Sequence, residues 1–520
     1  MKNQKFRSLI PVLLCTLGGS IIGVGVAFLN PGRIPLLGFL AGSLLGTISI
    51  GALFLSWKLC KGTNLLALCM GMAFLLRLML GFGLTALLPV WGYPEEAPQH
   101  GYIYQDAYNR DTDAWHLAQS HESLTTAFGE EFTSDQYGGL LSFSALIYNA
   151  FSPDAHRPLL ILILTALLPA LGIPFLWNAV RKRWNEKMAI LSIWIFALYP
   201  ESIILSSSQM REPFLIGLSA IACWGVIEWK QNRRKSIIAL VLSMAGITFF
   251  SWLAAVAIFL VIGIWFWFDN IYPDLKPSQQ KISWLIIALI VIVTIVICLN
   301  WLINSARWDL YLMETSSGRL QFELGYIGSQ WRVPFLIIYG LLQPVLPAAL
   351  TYPGSPLMRV ISIFRSIGWY LMAPTVIFAF IAAFKSRVLH DKRILIWLSS
   401  AFLIWVLISS IRAGGDQWDN VRYRAIFTSW MAIIGAWGIT QAKEKFGAWL
   451  RRIFLVEGVF VLVFLQWYLS RYYKIFGRLG FVQMMLIIII ASTIIIIGGF
   501  LKDYFESKRM VKVIKKNNNP

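Results

Sequence analysis

Three short stretches of this sequence carry side chains that could do chemistry. In "YQDAYNRDTDAWHLAQS" (Tyr104–Ser120), Asp106, Asp111 and Asp113 stand close together. Crowded carboxylates repel one another and raise at least one pKa, which suits a general base or a divalent-cation site. The same residues also fit a solvated acidic loop in which Asp111 or Asp113 caps a helix start. In "YPESIILSSSQMREPF" (Tyr199–Phe214), Glu201 interrupts an apolar run, and Arg211–Glu212 precede Pro213, a residue suited to the first turn of a helix. Arg211 could hold a phosphate by paired charge-assisted hydrogen bonds, whereas Glu212 serves equally as a cap. In "RAGGDQWDNVRYRAIF" (Arg412–Phe427), Arg412, Arg422 and Arg424 lie beside Asp416 and Asp419. These cations suit an anionic lipid headgroup or, equally, aspartate–arginine pairs that tie the loop down. His100, His116 and His121 are nearby, but no metal-ligand spacing such as H-E-x-x-H occurs, so no histidine-based metal site is expected.

The elements that must position these residues are membrane helices. Of 520 residues, 57% are hydrophobic and only 14% charged, against about 25% charged in a soluble chain. Apolar runs long enough to cross roughly 30 Å of hydrocarbon recur along the chain. They predict an all-α polytopic protein with about fourteen spans (thirteen to fifteen), near 8–29, 35–57, 64–90, 156–179, 188–208, 212–229, 236–268, 283–303, 333–352, 367–384, 394–411, 425–441, 452–470 and 479–501. The stretch 236–268 is long for one span, and "TFFSW" (Thr248–Trp252) could turn between two short helices, making 333–366, with Pro344, Pro347, Pro353 and Pro356, a re-entrant hairpin. Cys15, Cys60, Cys69, Cys223 and Cys298 lie in or beside apolar runs and suggest neither disulfides nor a thiolate metal site. Leu14 before Cys15 does not suit lipoprotein processing, so the start reads as an uncleaved first span.

Charge sets the expected topology. The net charge of +19 is distributed in short clusters between apolar runs, which the positive-inside rule explains better than nucleic-acid binding. Neighbouring clusters are separated by even numbers of spans, so both termini and the basic tail 502–520 are expected in the cytoplasm. Residues 91–155, with ten Asp or Glu against the single base Arg110, then lie outside. The turns at Arg211 and at Arg412–Arg424 fall on the same outer face.

Taken together, "DTDAWHLAQ", "LYPESIILSSSQMREP" and the late "RYR" (Arg422, Tyr423, Arg424) resemble membrane-embedded glycosyltransferases of the GT-C type, in particular the bacterial group similar to protein O-mannosyltransferases and aminoarabinose transferases. The resemblance covers residues 64–440 as a GT-C-like core, with 91–155 as a helical first outer loop. It leaves 1–63 as two accessory spans and 441–501 as two C-terminal spans. It implies inverting transfer of a sugar from a polyprenyl-phosphate carrier to a lipid, glycan or protein acceptor at the outer leaflet of a bacterial inner or plasma membrane. A first-loop aspartate would be the general base: Asp113, Asp111 or Asp106, in that order. Arg211, Arg422, Arg424 and Tyr423 would bind the donor phosphate, with Glu212 and Glu201 as secondary substrate contacts. Some members use a divalent cation, for which Asp111 and Asp113 would be the ligands; no other cofactor is implied, and neither a Walker A motif nor a Rossmann fingerprint occurs.

Two other readings remain open at this stage. A lipid-linked polysaccharide polymerase or ligase predicts its largest outer loop late in the chain, whereas here it is early. A transporter or lipid flippase predicts ionisable residues near mid-membrane and inverted repeats; Arg77 and Glu201 lie within spans, but no repeat is evident.

Overall fold

The computed structural model describes residues 2–120, 122–130, 132, 134–315, 325, 328–386, 389–443 and 447–517. Its main elements are α1 (Lys2–Leu29), α2 (Pro35–Leu59), α3 (Asn64–Trp91), α4 (Gln105–Ser120), α5 (Gly139–Phe151), α6 (Leu159–Arg183), α7 (Glu186–Leu198), α8 (Pro200–Ser206), α9 (Glu212–Glu228) and α10 (Arg233–Phe250). They continue with α11 (Trp252–Phe266), α12 (Pro277–Thr315), α13 (Ser329–Leu342), α14 (Leu346–Thr351), α15 (Pro356–Ala383), α16 (Leu389–Ala413), α17 (Asp419–Ala425), α18 (Thr428–Gln441), α19 (Gly447–Tyr472) and α20 (Phe481–Asn517). No strand occurs among the described residues, so the all-α membrane class holds. Part of the loop 304–332 and the last residues of the basic tail lie outside the described residues.

Among the described residues, ten helices are long and apolar enough to cross a membrane, or eleven if α7 and α8, which meet at a 50° bend, form one span. Three of the fourteen expected stretches fall outside that set because they are shorter or broken. The stretch 212–229 folds as α9, of 17 residues, 425–441 shortens to α18, of 14 residues, and 333–352 divides into α13 and α14. Each break has a local cause. Ser251 adopts an extended backbone and its hydroxyl accepts the Ala254 N–H at 3.3 Å, so 236–268 is two helices, as the "TFFSW" alternative has it.

Pro200 lacks an N–H and ends α7, and the buried Arg77 of α3 compensates by donating to the carbonyls of Ala197 at 2.9 Å and Ala73 at 3.0 Å. An arginine within a span thus closes a broken helix rather than lining a pathway.

The chain divides into two compact units, residues 1–341 with 397–436 and residues 342–396 with 437–520. The first is built around α6, the most enclosed span, with 83% of its apolar window buried. Gly217 lets α9 approach it, since a Cβ there would sit 2.2 Å from the Leu168 carbonyl oxygen. The α1–α2 hairpin closes through Gly19 and Gly23 against Ser43 and Thr47, and small residues at such spacing bring helix backbones together. Arg157 ties the hairpin loop down, donating to the carbonyls of Asn30, Pro31 and Ile34 while paired with Asp154 at 2.5 Å. In the second unit, Arg452 makes two hydrogen bonds of 2.6 Å to Asp503, joining α19 to α20.

Candidate active site

Everything that concerns the site lies in the first unit. The α4 helix follows the turn after α3, and at about 100° per residue Asp106, Arg110 and Asp113 share one face while Asp111 points elsewhere. The turn after α8 delivers Arg211, the N-cap of α9, immediately before Glu212 and Pro213 start that helix. The turn between α16 and α17 is fixed by carboxylates: Asp309 of α12 accepts the Gly415 N–H at 3.0 Å, and Asp416 accepts those of Trp418 and Asp419 at 2.6 and 3.0 Å. Helix α17 then presents Asp419, Arg422 and Tyr423 on one face, and the Trp405 indole fixes its depth by donating to the Tyr423 carbonyl at 2.9 Å.

These elements bring together Asp106, Arg211, Glu212, Arg422 and Tyr423. Arg422 is the hub: it meets Asp106 at 2.9 Å, Asp419 at 3.2 Å and Glu212 at 3.4 Å. Burial alone would lower the pKa of this guanidinium, but Asp419, Glu212, Tyr423 and Asp106 outweigh it and hold it well above the ordinary arginine value. Asp106 is its counterpart. Partial burial pulls that carboxyl up, but Arg422, with help from Arg110 and Arg211, leaves it below the usual carboxylate range. The Asp106 side chain is nevertheless 56% exposed, so it is both ionised at neutral pH and open to solvent. Asp419 shifts the other way, because burial and the nearby Asp416 and Asp106 exceed the pull of Arg422.

Arg211 meets the buried Asp135 at 3.4 Å and Glu212 at 3.9 Å, with its guanidinium 4.4 Å from the centre of the Tyr137 ring. Asp135 also accepts the Leu141 N–H at 3.2 Å, fixing the start of α5. Arg110, 4% exposed, donates to the Gln209 carbonyl at 3.2 Å, and burial holds its pKa below the arginine norm. Arg412 differs from these: it stacks on Tyr423 at 3.9 Å and Trp301 at 4.9 Å and has no carboxylate partner among the described residues.

Behind this charged group lies a cavity of about 440 Å³. Its walls are apolar side chains of α11, α12 and α16, and its polar end is formed by Arg211, Glu212, Arg412 and Tyr423. Asp106 is one residue removed, since its partner Arg422 contacts Glu212 and reaches the Tyr423 hydroxyl at 3.5 Å.

Other sequence-predicted residues have different surroundings. Asp111 is 3% exposed and accepts hydrogen bonds from Tyr102 at 2.7 Å and Tyr148 at 2.6 Å, with His156 Nε2 at 2.8 Å. Asp113 is hydrogen-bonded by Ser134. Arg424, 1% exposed, does not line the cavity. Glu201 is fully buried and accepts from the Tyr104 hydroxyl at 3.5 Å. The cation reading of Asp111 and Asp113 does not fit: the two are held by separate partners, and no group of three His, Cys, Asp or Glu that could hold a metal occurs among the described residues. His121 lies outside the described residues.

Sequence reasoning missed Arg110 and Asp135; it offered Arg412 to an anionic headgroup and Asp419 to arginine pairing, but gave neither a place in the transfer reaction. Arg110 did carry a signal, as the single base in an acidic segment and four residues after Asp106. Asp135 carried none.

Fold and site define an all-α polytopic membrane protein in which an apolar cavity ends at a cluster of arginines and carboxylates. No family model matches the sequence, and no match is found among curated proteins. Among solved structures, the chain is similar to the archaeal oligosaccharyltransferase AglB from Archaeoglobus fulgidus, in complex with an inhibitory peptide and a dolichol-phosphate. That similarity covers 83% of this chain at 13% identity with a TM-score of 0.34, and the chain spans 55% of the length of that protein.

Proposed function

We propose that the chain is a GT-C-type glycosyltransferase that moves a sugar from a polyprenyl-phosphate carrier to an acceptor hydroxyl at the outer leaflet of a cell membrane, with inversion. The observation that carries this reading is the apolar cavity ending at Arg211, Arg412 and Tyr423, beside an exposed and ionised Asp106. A lipid phosphate needs an apolar path for its tail and cations for its head, and both meet here.

The carrier phosphodiester sits on Arg211 and Arg412. The acceptor oxygen attacks the anomeric carbon and gives its proton to Asp106. The bond between that carbon and the phosphate oxygen breaks, and its electron pair leaves with the phosphate, whose growing charge the arginines stabilise. Asp106 takes the role given first to Asp113 because Asp106 faces the arginines, whereas Ser134 holds Asp113 and three partners surround Asp111. Glu212 and Asp419 keep Arg422 in place beside the base. Arg77 and Glu201, the residues a transport pathway would use, are occupied by backbone carbonyls and by Tyr104.

The test is transfer from a panel of undecaprenyl-phosphate sugars by the purified protein in nanodiscs. Asp106→Asn is expected to slow transfer by at least about a hundred-fold while binding undecaprenyl phosphate as the wild type does. Transfer at the wild-type rate by Asp106→Asn would refute the assignment.

A further inference from the structure

In the second unit, Arg452 and Asp503 close one end of the α19–α20 hairpin, next to the basic tail. From Arg452 to Arg471 the helix advances about 28 Å at a rise of about 1.5 Å per residue, close to the roughly 30 Å depth of a bilayer's hydrocarbon core. The turn that follows, "RYYKIFGRLG" (Arg471–Gly480), therefore lies at the opposite membrane face, yet it carries Arg471, Lys474 and Arg478. The positive-inside rule accounts for one basic face, so cations at both ends of one hairpin need a separate reason. A fourth cation joins them. Tyr473 donates to the Thr351 carbonyl at 3.2 Å, and Arg359, near the start of α15, donates to the Tyr473 hydroxyl at 3.3 Å and to the Tyr352 carbonyl at 2.6 Å.

No acid of the second unit stands near these cations in the chain: residues 342–390 and 458–502 contain neither Asp nor Glu. Arg471 lies over the Trp467 ring at 4.7 Å and makes no hydrogen bond among the described residues, while Lys474 and Arg478 are exposed. The Gln466 side chain donates to the Gly477 carbonyl at 2.8 Å and folds the turn back along the end of α19. Lys474 and Phe476 take left-handed φ angles of 55° and 68° in making that fold. Tyr472, Ile475 and Phe476 are left exposed beside the cations, and α19 and α20 have only 11% and 6% of their apolar windows buried.

We propose that this turn binds the headgroup of an anionic phospholipid in the leaflet opposite the basic tail. Guanidinium groups hold a phosphodiester through charge-assisted hydrogen bonds, and no carboxylate of the second unit competes for them here. The exposed apolar side chains fix the class of partner. Between two lipid-facing helices they lie among headgroups and acyl chains, whereas a soluble polyanion would leave them in water. The site lies wholly in the second unit and does not rest on the carrier reading.

The experiment titrates the full chain in detergent with dioleoyl phosphatidylglycerol or dioleoyl phosphatidylcholine and follows the first bound lipid by native mass spectrometry. Wild type is expected to bind the first phosphatidylglycerol about ten-fold more tightly than the first phosphatidylcholine. Arg471→Gln combined with Lys474→Gln and Arg478→Gln is expected to erase that preference. The exposed pair alone, Lys474→Gln with Arg478→Gln, is expected to lower it about three-fold and keeps the test open if the triple variant fails to fold. Lys502→Gln with Lys508→Gln, at the other face, retains the wild-type preference. Equal binding of the two lipids by wild type, an unchanged preference in both turn variants, or as large a loss in the Lys502 and Lys508 variant overturns the inference. Displacement of the bound phosphatidylglycerol by excess inorganic phosphate also overturns it, since that result defines a small-anion site.

Discussion

Arg412 is the site's most exposed test. It borders the apolar cavity, stacked 3.9 Å from the centre of the Tyr423 ring, and has no carboxylate partner among the described residues. Replacing it by Gln removes a cation that no acid there neutralises. A unit-charge pair at about 4 Å in an effective dielectric of about 20 is worth about 4 kcal/mol, an upper bound before desolvation. Hydrogen bonds to charged groups contribute about 1.5–3 kcal/mol net, and the middle of that range, about 2 kcal/mol, corresponds to roughly thirty-fold in Kd. Arg412→Lys keeps the charge but loses the planar stack on Tyr423 and Trp301, worth about 1 kcal/mol, or about five-fold. The assay compares undecaprenyl phosphate with neutral undecaprenol in nanodiscs. Only the phosphate should lose affinity, in the order wild type, Lys, Gln. Equal losses for both lipids would mean that Arg412 shapes the cavity and does not bind the headgroup, and no loss for either would remove it from the site.

Asp106→Asn should lower the transfer rate about 10²–10⁴-fold with lipid binding retained, as expected for loss of a general base, measured under saturating donor. Because Arg422, with Arg110 and Arg211, leaves the Asp106 pKa below that of a free carboxylate despite burial, the base stays ionised as pH falls through neutrality, so kcat/KM should hold there and lose activity only at a more acid pH than an unpaired carboxylate base would give. Asp111→Ala strands the hydroxyls of Tyr102 and Tyr148 in a buried site and should destabilise the protein by about 3 kcal/mol in a thermal unfolding assay. Gly217→Val forces α9 away from α6, where a Cβ would meet the Leu168 carbonyl oxygen at 2.2 Å, and should reduce folded yield in a size-exclusion assay.

The membrane class was legible because a span declares itself by length and hydropathy, as in α2, α3 and α6. The breaks were less so. Pro200 marks the end of α7 in the sequence, but the arginine that makes the break affordable, Arg77, is over a hundred residues away, and only the fold brings it to Ala197. At the site, the sequence placed acids and arginines in the right segments but could not phase them. Within α4, a shift of a few positions decides whether a carboxylate faces Arg422, as Asp106 does, or Tyr102 and Tyr148, as Asp111 does. That phase depends on how α4 is seated by partners such as Gln209 and His156, distant in sequence. Arg412 became distinctive once Arg211 and Arg422, which share the site with it, were found beside their own acids.

The central claim is that a sugar leaves a polyprenyl phosphate at this site with Asp106 as the base. The most direct measurement is release of undecaprenyl phosphate from a panel of undecaprenyl-phosphate sugars, followed by mass spectrometry with the purified protein in nanodiscs and membrane extract as acceptor. Release that depends on acceptor, occurs with wild type and fails with Asp106→Asn is the expected result. Release by Asp106→Asn at the wild-type rate, or no release from any donor by wild type, would contradict it.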